Sequence, residues 1–347
     1  MRDGALSETV ASLLAACGLA KGPVRLRAAT GGGNNRVYFV DGSAVPVVAK
    51  KYFRSPYDQR DRLHAEWSFV NYAYTTGLRC VPRPIASEVN AQIALYEQVD
   101  GRKLKAREIG ECNVLAAADF LYALNEPARR AKAGSLPRAS EAGFSIAEHF
   151  ALIDHRVGRL LDADDKADYD GEAGGLIGEL NAYWQELKAS VVRQAQETSL
   201  PFAEALPAEL RCVSPSDFGF HNALQRPDGR ICFIDFEYAG WDDPAKTAAD
   251  FFLQPEVPVD RKFFEAFIRA ILKGPRADWQ ERRIALLWPV FALKWCCIML
   301  NPFVAERAQP GTFANPARDE SERKRTQLKK ATAAFAALQT GEGAWRM

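Results

Sequence analysis

Asp217, Asn222 and Asp235 are the residues whose types and spacing point most directly to chemistry. Asp217 and Asn222 stand five positions apart in a short run without periodicity, which reads as a loop. Ala223-Leu224-Gln225 then leads into Pro227-Asp228-Gly229, a strong turn signal. Ile231-Cys232-Phe233-Ile234 follows as a β-branched and aromatic run, and reads as a strand with Asp235 at its end. Folding that strand back beside the loop carries Asp235 to Asn222. A carboxylate and an amide oxygen converging there are hard donors suited to Mg²⁺. Asp217 is left a little apart, free to accept a proton. Phosphoryl transfer needs this division of labour: metal ions, positioning, and one base for the attacking hydroxyl. An isolated D-x-x-x-x-N also occurs as a capped loop, so the deciding feature is a nucleotide-cradling half upstream.

The elements that would form such a half are legible. Residues 7–17 predict a short leading helix, and 24–28 alternate as a strand does. Thr30-Gly31-Gly32-Gly33-Asn34-Asn35 precedes a strand over 36–40, Asp41-Gly42 signals a turn, and 45–53 is a third strand. A glycine-rich turn between antiparallel strands lets backbone amides approach a triphosphate. No G-K-[ST] follows and no helix opens after the glycines, so this is neither a Walker loop nor a dinucleotide fingerprint. Lys50 lies in an apolar strand, where a buried lysine needs a partner. Neighbouring residues face opposite sides of a strand. Lys50, on the face of Val48, is the one expected to point inward at phosphates, and Lys51 to water. A helix over 61–75 carries Leu63, Trp67, Val70 and Tyr74 at helical spacing, with Glu66 beside that stripe as the expected partner of Lys50. Strands over 82–87 and 92–99 complete a five-stranded antiparallel sheet. Asp100-Gly101 is a natural hinge, leaving the backbone of Glu97 and Val99 to hydrogen-bond a flat base such as adenine.

Beyond Lys105 the pattern is helical: 114–124, a helix opened by the capping box Ser145-Ile146-Ala147-Glu148, then 177–191, 263–272, 283–300 and 321–338. This divides the chain into an N-terminal lobe, 1–99, and a mostly helical lobe, 100–340. The acidic run at 162–172 lacks calcium-loop spacing and reads as a solvated connector. With 48% apolar and 26% charged residues and a net charge of +1, no electrostatic drive toward nucleic acid or an anionic membrane is expected. Seven scattered cysteines without a C-x-x-C pair indicate reduced thiols in a reducing compartment. No signal-peptide pattern or membrane-length apolar run is visible, which points to the cytoplasm and to no membrane partner.

Glycine hairpin, strand lysine, helix glutamate, hinge, D-x-x-x-x-N and strand aspartate, in that order, resemble the protein-kinase-like fold. More narrowly, the chain is similar to the aminoglycoside phosphotransferase and choline kinase superfamily of small-molecule kinases. The likeness is carried by residues 32–38, Lys50, Glu66, 217–222, Ile234-Asp235-Phe236, and Asp243-Pro244 with Asp250. It implies an α+β two-lobed fold, with an antiparallel five-stranded sheet and one main helix before the helical lobe. By that resemblance Asp217 is the catalytic base, Asn222 and Asp235 bind Mg²⁺, and Lys50, held by Glu66, contacts the ATP phosphates. Gly32, Gly33, Asn34 and Asn35 would cover the triphosphate. The acceptor would be a hydroxyl of a small metabolite: a sugar, an amino alcohol or an aminoglycoside-like compound. One departure is plain. The family usually has a histidine two positions before the catalytic aspartate, and this chain has Pro215, so Pro215 and Ser216 must brace the loop otherwise, with His221 a candidate helper. A second is Glu237, which would add charge at the metal or cap the following loop. The alternative reading is a kinase-like nucleotide-binding module with little or no turnover. No long activation segment separates Asp235 from Asp243-Pro244, which argues against a protein substrate.

Overall fold

Helical spacing of apolar residues fixes where the first helix lands. The computed structural model describes residues 3–29, 35–56, 58–162, 171–273, 276–304 and 320–341. Helix α1 (Asp3–Ala16) lays Leu6, Val10 and Leu14 against Val40, Val47, Ala49, Ile93 and Leu95. Those last residues belong to a five-stranded antiparallel sheet of order β1-β2-β3-β5-β4. Its strands are β1 (Ala20–Ala28), β2 (Arg36–Ser43), β3 (Val47–Lys51), β4 (Pro84–Glu88) and β5 (Ile93–Glu97). In the register of the central strand, Lys50 stands opposite Val37 on one side and Ala94 on the other.

Asp41-Gly42 does not form the expected turn. β2 runs on to Ser43 and the register with β1 slips between Ala20 and Arg25. Gly42 absorbs the slip with φ +92°, and a Cβ there would sit 2.5 Å from the Pro23 carbonyl oxygen. The chain instead turns at 44–46.

Helix α2 (Arg62–Thr75) is capped by Asp61, whose carboxylate accepts from the His64 amide at 2.9 Å. It covers the other face of the sheet and joins the main apolar core. Phe69 of α2 meets Phe236 at 4.6 Å between ring centroids, and Phe120 stacks on Phe233 at 4.7 Å. One cluster of buried side chains therefore runs from the sheet into the helical part.

That part begins with β6 (Arg102–Lys103), α3 (Glu111–Asn125) and α4 (Pro127–Arg130), then α5 (Ile146–Leu161) and α6 (Glu172–Glu197). Short strands β7 (Cys212–Ser214), β8 (Ala223–Gln225), β9 (Ile231–Phe233) and β10 (Gly240–Asp242) frame the segment that carries Asp217, Asn222 and Asp235. β7 pairs with β10, and β6, β8 and β9 form a second small sheet. Helices α7 (Pro244–Leu253), α8 (Phe264–Ile271), α9 (Ala277–Met299) and α10 (Glu320–Gln339) complete it, with α9 packed against α5, α6, α7 and α10.

Only half of the expected capping box forms at α5. The Ser145 hydroxyl accepts from the Glu148 amide at 3.0 Å, but the Glu148 carboxylate takes the amide of Phe144 and pairs with Arg138. Cys296 and Cys297 are buried in α9. Residues 163–170, most of the acidic run, lie outside the described residues. Among the described residues no helix is long and apolar enough to cross a membrane.

Candidate active site

Lys50 is turned inward and buried. Its Nζ lies 2.5 Å from Glu66 Oε2 and 2.5 Å from Asp235 Oδ1. Lys51, one residue on, bonds the Ala91 carbonyl on the opposite side, which is the alternation a strand imposes. Burial alone would lower the Lys50 ammonium, but Asp235, Glu66 and Glu237 overcome it and hold it well above its ordinary value. Glu66 is pushed up to about 7, by burial first and by the neighbouring Asp235, against the pull of Lys50. Burial would also raise Asp235, yet Lys50 keeps it below the usual carboxylate range. Glu66 and Asp235 thus share one ammonium, with Glu237 close enough to act on it as well, and two carboxylates on one cation leave room for a further one.

The strand β9 ends at Phe233, so Asp235 sits two residues beyond it rather than on its end, with φ +67°. A non-glycine residue in that left-handed region is held there by its surroundings: Phe236 is buried in the core and Lys50 grips the carboxylate. The Asp235 side chain is 38% exposed against 5% for Glu66, so it is the one facing the cleft.

Asn35 closes the other edge of this cluster. It is buried, donates to the Glu237 carboxylate through Nδ2, and accepts from the Phe53 amide at 2.9 Å. Glu237 also meets Arg62 Nε at 3.2 Å, and Arg62 reaches Asp58 at 2.7 Å. Glu237 therefore ties the end of the glycine loop to the segment after Asp235. Gly32, Gly33 and Asn34 lie outside the described residues. At the hinge, the Glu97 amide donates to Arg83 and the Gln98 amide to Pro46.

Asp217 is not set apart as the spacing suggested. The Asn222 side chain donates to its carbonyl at 3.0 Å and to its carboxylate at 3.2 Å, and His221 Nε2 lies 3.1 Å from Oδ1. His221 folds back over Gly219, where a Cβ would lie 2.7 Å from its Nδ1. The Ile234 amide donates to the Asn222 carbonyl at 2.9 Å, which brings Asn222 beside Asp235. With its Nδ2 spent on Asp217, Asn222 presents its amide oxygen as an acceptor. That oxygen and the ionised Asp235 carboxylate fit a hard cation such as Mg²⁺. Among the described residues no three histidine, cysteine, aspartate or glutamate side chains cluster to hold a metal, so further ligands would come from phosphate oxygens and water.

The brace that Pro215 cannot give comes from helix α7. Ser216, at φ +65°, accepts from Lys246 Nζ at 2.8 Å and donates to the Ser140 carbonyl at 3.3 Å. The Ser214 hydroxyl accepts from the Ser216 amide at 3.0 Å and from Thr247 Oγ1 at 2.9 Å. Lys246 is anchored to Asp242 at 2.7 Å and lies 3.4 Å from Asp250. The helix itself is pinned by Asp243, which caps it and takes Arg283 at 2.5 Å and His149 at 2.8 Å. Burial would raise the Asp243 carboxyl, but Arg283 and His149 hold it well below its ordinary value. Lys246 and Thr247 escaped the sequence reading. The available signal was the i, i+4 row Asp242, Lys246, Asp250 following Pro215.

Asp217 opens onto a cavity of about 380 Å³, walled among others by Tyr238, Lys246, Asp250, Arg156 and Trp295. Trp295 lines this cavity, Trp288 is core, and Trp241 lies under Arg130. A larger hollow of about 520 Å³ opens beside α3 and α9, with none of Asp217, Asn222 or Asp235 in its wall.

The sequence pattern of the phosphotransferase enzyme family matches residues 25–285. No curated protein sequence matches the chain. Among solved structures, a choline kinase from Cryptosporidium parvum superposes with a TM-score of 0.60 at 12% identity, covering 97% of this chain and 98% of that one. A choline/ethanolamine kinase family protein from Mesorhizobium loti gives 0.56 at 15% identity, covering 93% and 94%. A spectinomycin phosphotransferase in complex with ADP and spectinomycin gives 0.56 at 10% identity, covering 94% and 98%. At such identities the likeness is one of fold, and that fold is kinase-like.

Proposed function

The chain belongs to the phosphotransferase enzyme family, and we propose that it moves the γ-phosphate of ATP to a hydroxyl of a small metabolite, with Asp217 as the base. The observation that carries this reading is the meeting of Lys50, Glu66 and Asp235 at 2.5 Å contacts, beside an Asn222 that also bonds Asp217.

The two lobes, 1–99 and 100–340, would clasp the nucleotide. Lys50, oriented by Glu66, meets the phosphates. Asn35 fixes the root of the loop that covers them, and the Glu97 carbonyl and Val99 amide receive the base. Asn222 and Asp235 would hold Mg²⁺, which neutralises phosphate charge when bound. Asp217 accepts the proton of the acceptor hydroxyl as its oxygen bonds to the γ-phosphorus and the bond to the ADP oxygen breaks. His221 and the Asn222 amide hold the Asp217 carboxylate in aim, so a lone pair faces the cavity. A binding module without turnover was entertained because Pro215 removes the usual brace. Lys246 and Thr247 supply a different one, which favours the catalytic reading.

The test is ADP release by the full-length protein with ATP, Mg²⁺ and a panel of hydroxylated metabolites. Asp217→Asn is expected to abolish transfer and leave nucleotide binding intact. Turnover at close to the wild-type rate in that variant would remove Asp217 from its role.

A further inference from the structure

Resting on the phosphotransferase reading of the cavity beside Asp217, we propose that its acceptor is an uncharged polyhydroxyl compound, of the sugar or cyclitol kind, and not a hydroxylated amine. An ammonium or quaternary amine is recognised by an unpaired carboxylate or by open aromatic faces. Among the described residues, this cavity offers neither.

Its carboxylates are Glu141, Asp217, Asp250 and Glu256. Asp250 is met by Lys294 at 2.5 Å, by Trp295 Nε1 at 2.8 Å and by Lys246 at 3.4 Å. Glu141 is paired with Arg156, and Glu256 with Lys330 at 2.9 Å. Among the described carboxylates of the wall, only Asp217 lacks a lysine or arginine partner, and it is the base. The aromatic rings in the wall are engaged too. Arg60 and Arg62 lie 5.3 and 5.7 Å from the Tyr238 ring centroid, and Lys294 lies 5.9 Å from that of Trp295. Among the described residues, an incoming ammonium would meet five protein cations, Arg60, Arg156, Lys246, Lys294 and Arg323, with no carboxylate left to repay its desolvation.

An anionic acceptor is not called for either, because Arg60, Arg156, Lys246 and Lys294 are matched. Arg60 pairs with Asp58 at 2.7 Å, and Lys246 with Asp242 and Asp250. What the wall does supply is hydrogen-bonding capacity of both senses. Arg156 Nε is a buried donor without a partner. Ser140, Asn301 and Gln327 add a hydroxyl and amides, and Trp295 adds a flat apolar edge. Self-neutralised ion pairs and amides around an aromatic ring suit a neutral ring bearing several hydroxyls.

The experiment measures ADP release by the full-length protein with ATP and Mg²⁺ against three matched sets. These are glucose, ribose and myo-inositol; choline, ethanolamine and spectinomycin; and glycerate and lactate. The expected result is a best neutral acceptor whose kcat/KM exceeds that of every amine and acid by at least ~100-fold. An amine or an acid as the best acceptor overturns this inference and leaves the kinase reading standing. No ADP release with any set removes the kinase reading itself, and the inference with it. Arg156→Gln uncovers Glu141, and Lys294→Gln removes the nearer of the two lysines on Asp250. Each is expected to move the amine-to-neutral ratio toward amines by roughly 10-fold. An unchanged ratio in whichever variant folds contradicts the charge argument.

Discussion

The cleft proposed for the nucleotide and the cavity proposed for the acceptor meet at Asp217, yet their charges are arranged in opposite ways. In the cleft, Glu66 and Asp235 both press on one buried ammonium, while Glu237, itself paired with Arg62, adds its charge from further off. In the cavity, nearly every charge is matched: Lys246 with Asp242, Lys294 with Asp250, Arg156 with Glu141. A site left with surplus charge is one that waits for a ligand of the opposite sign. A site whose charges are spent on each other is a rigid wall that selects by shape and hydrogen bonding. The same residue types therefore mean ligand binding on one side and scaffolding on the other.

Each prediction presses on that contrast. The largest effect belongs to the junction: Asp217→Asn should lower kcat by ~10²–10⁴-fold with ATP affinity unchanged, read by steady-state kinetics beside nucleotide titration. On the cleft side, Lys50→Met leaves Glu66 and Asp235 without their cation. It should cost about 3–5 kcal/mol in denaturant unfolding and abolish turnover, whereas Lys51→Met on the opposite face should cost under ~1 kcal/mol. Equal losses from the two lysines would erase the distinction between inward and outward faces.

On the wall side, Lys246→Met frees Ser216 and should lower kcat by roughly 10–100-fold while KM for ATP stays put. A matching rise in KM for ATP would show that Lys246 serves the nucleotide and not the loop. A smaller effect is a pH dependence. Glu66 sits at about 7 in the folded protein against an ordinary 4.5. The folded state therefore holds a proton that the unfolded state has released between those values, and the stabilising contribution shrinks as pH rises through that window. The stability of wild type minus that of Glu66→Gln should fall by up to ~1.4 kcal/mol per pH unit from 4.5 toward 7, then level off. A difference that grows with pH would reverse the charge picture of the cleft.

The cleft was far more legible in sequence than the wall. Lys50 could be picked over Lys51 because a strand alternates faces and Val48 shares its side. Glu66 followed from helical spacing against Leu63 and Val70. The five-strand sheet followed from alternation and turn residues, although Gly42 served a bulge and not the turn that Asp41-Gly42 suggested. Long-range partners were not legible, because local spacing carries no information about them. Asn35 and Glu237 are 202 positions apart, and Lys246 reaches Ser216 across 30. Asp235 could be assigned a role but not its left-handed backbone, which packing of Phe236 imposes from outside the local pattern. The apparent defect at Pro215 was readable only as a question, since its answer lies in a helix that follows it.

The central claim is that Asp235 and Asn222 form a cation-dependent nucleotide site with Lys50. It is tested most directly by titrating ADP into the full-length protein with and without Mg²⁺, and repeating this with Asp235→Asn. Wild type should bind ADP at least ~10-fold more tightly with Mg²⁺, and Asp235→Asn should lose that enhancement while keeping the Mg²⁺-free affinity within a few-fold. An ADP affinity in wild type that is indifferent to Mg²⁺, or an enhancement that survives in Asp235→Asn, would contradict it.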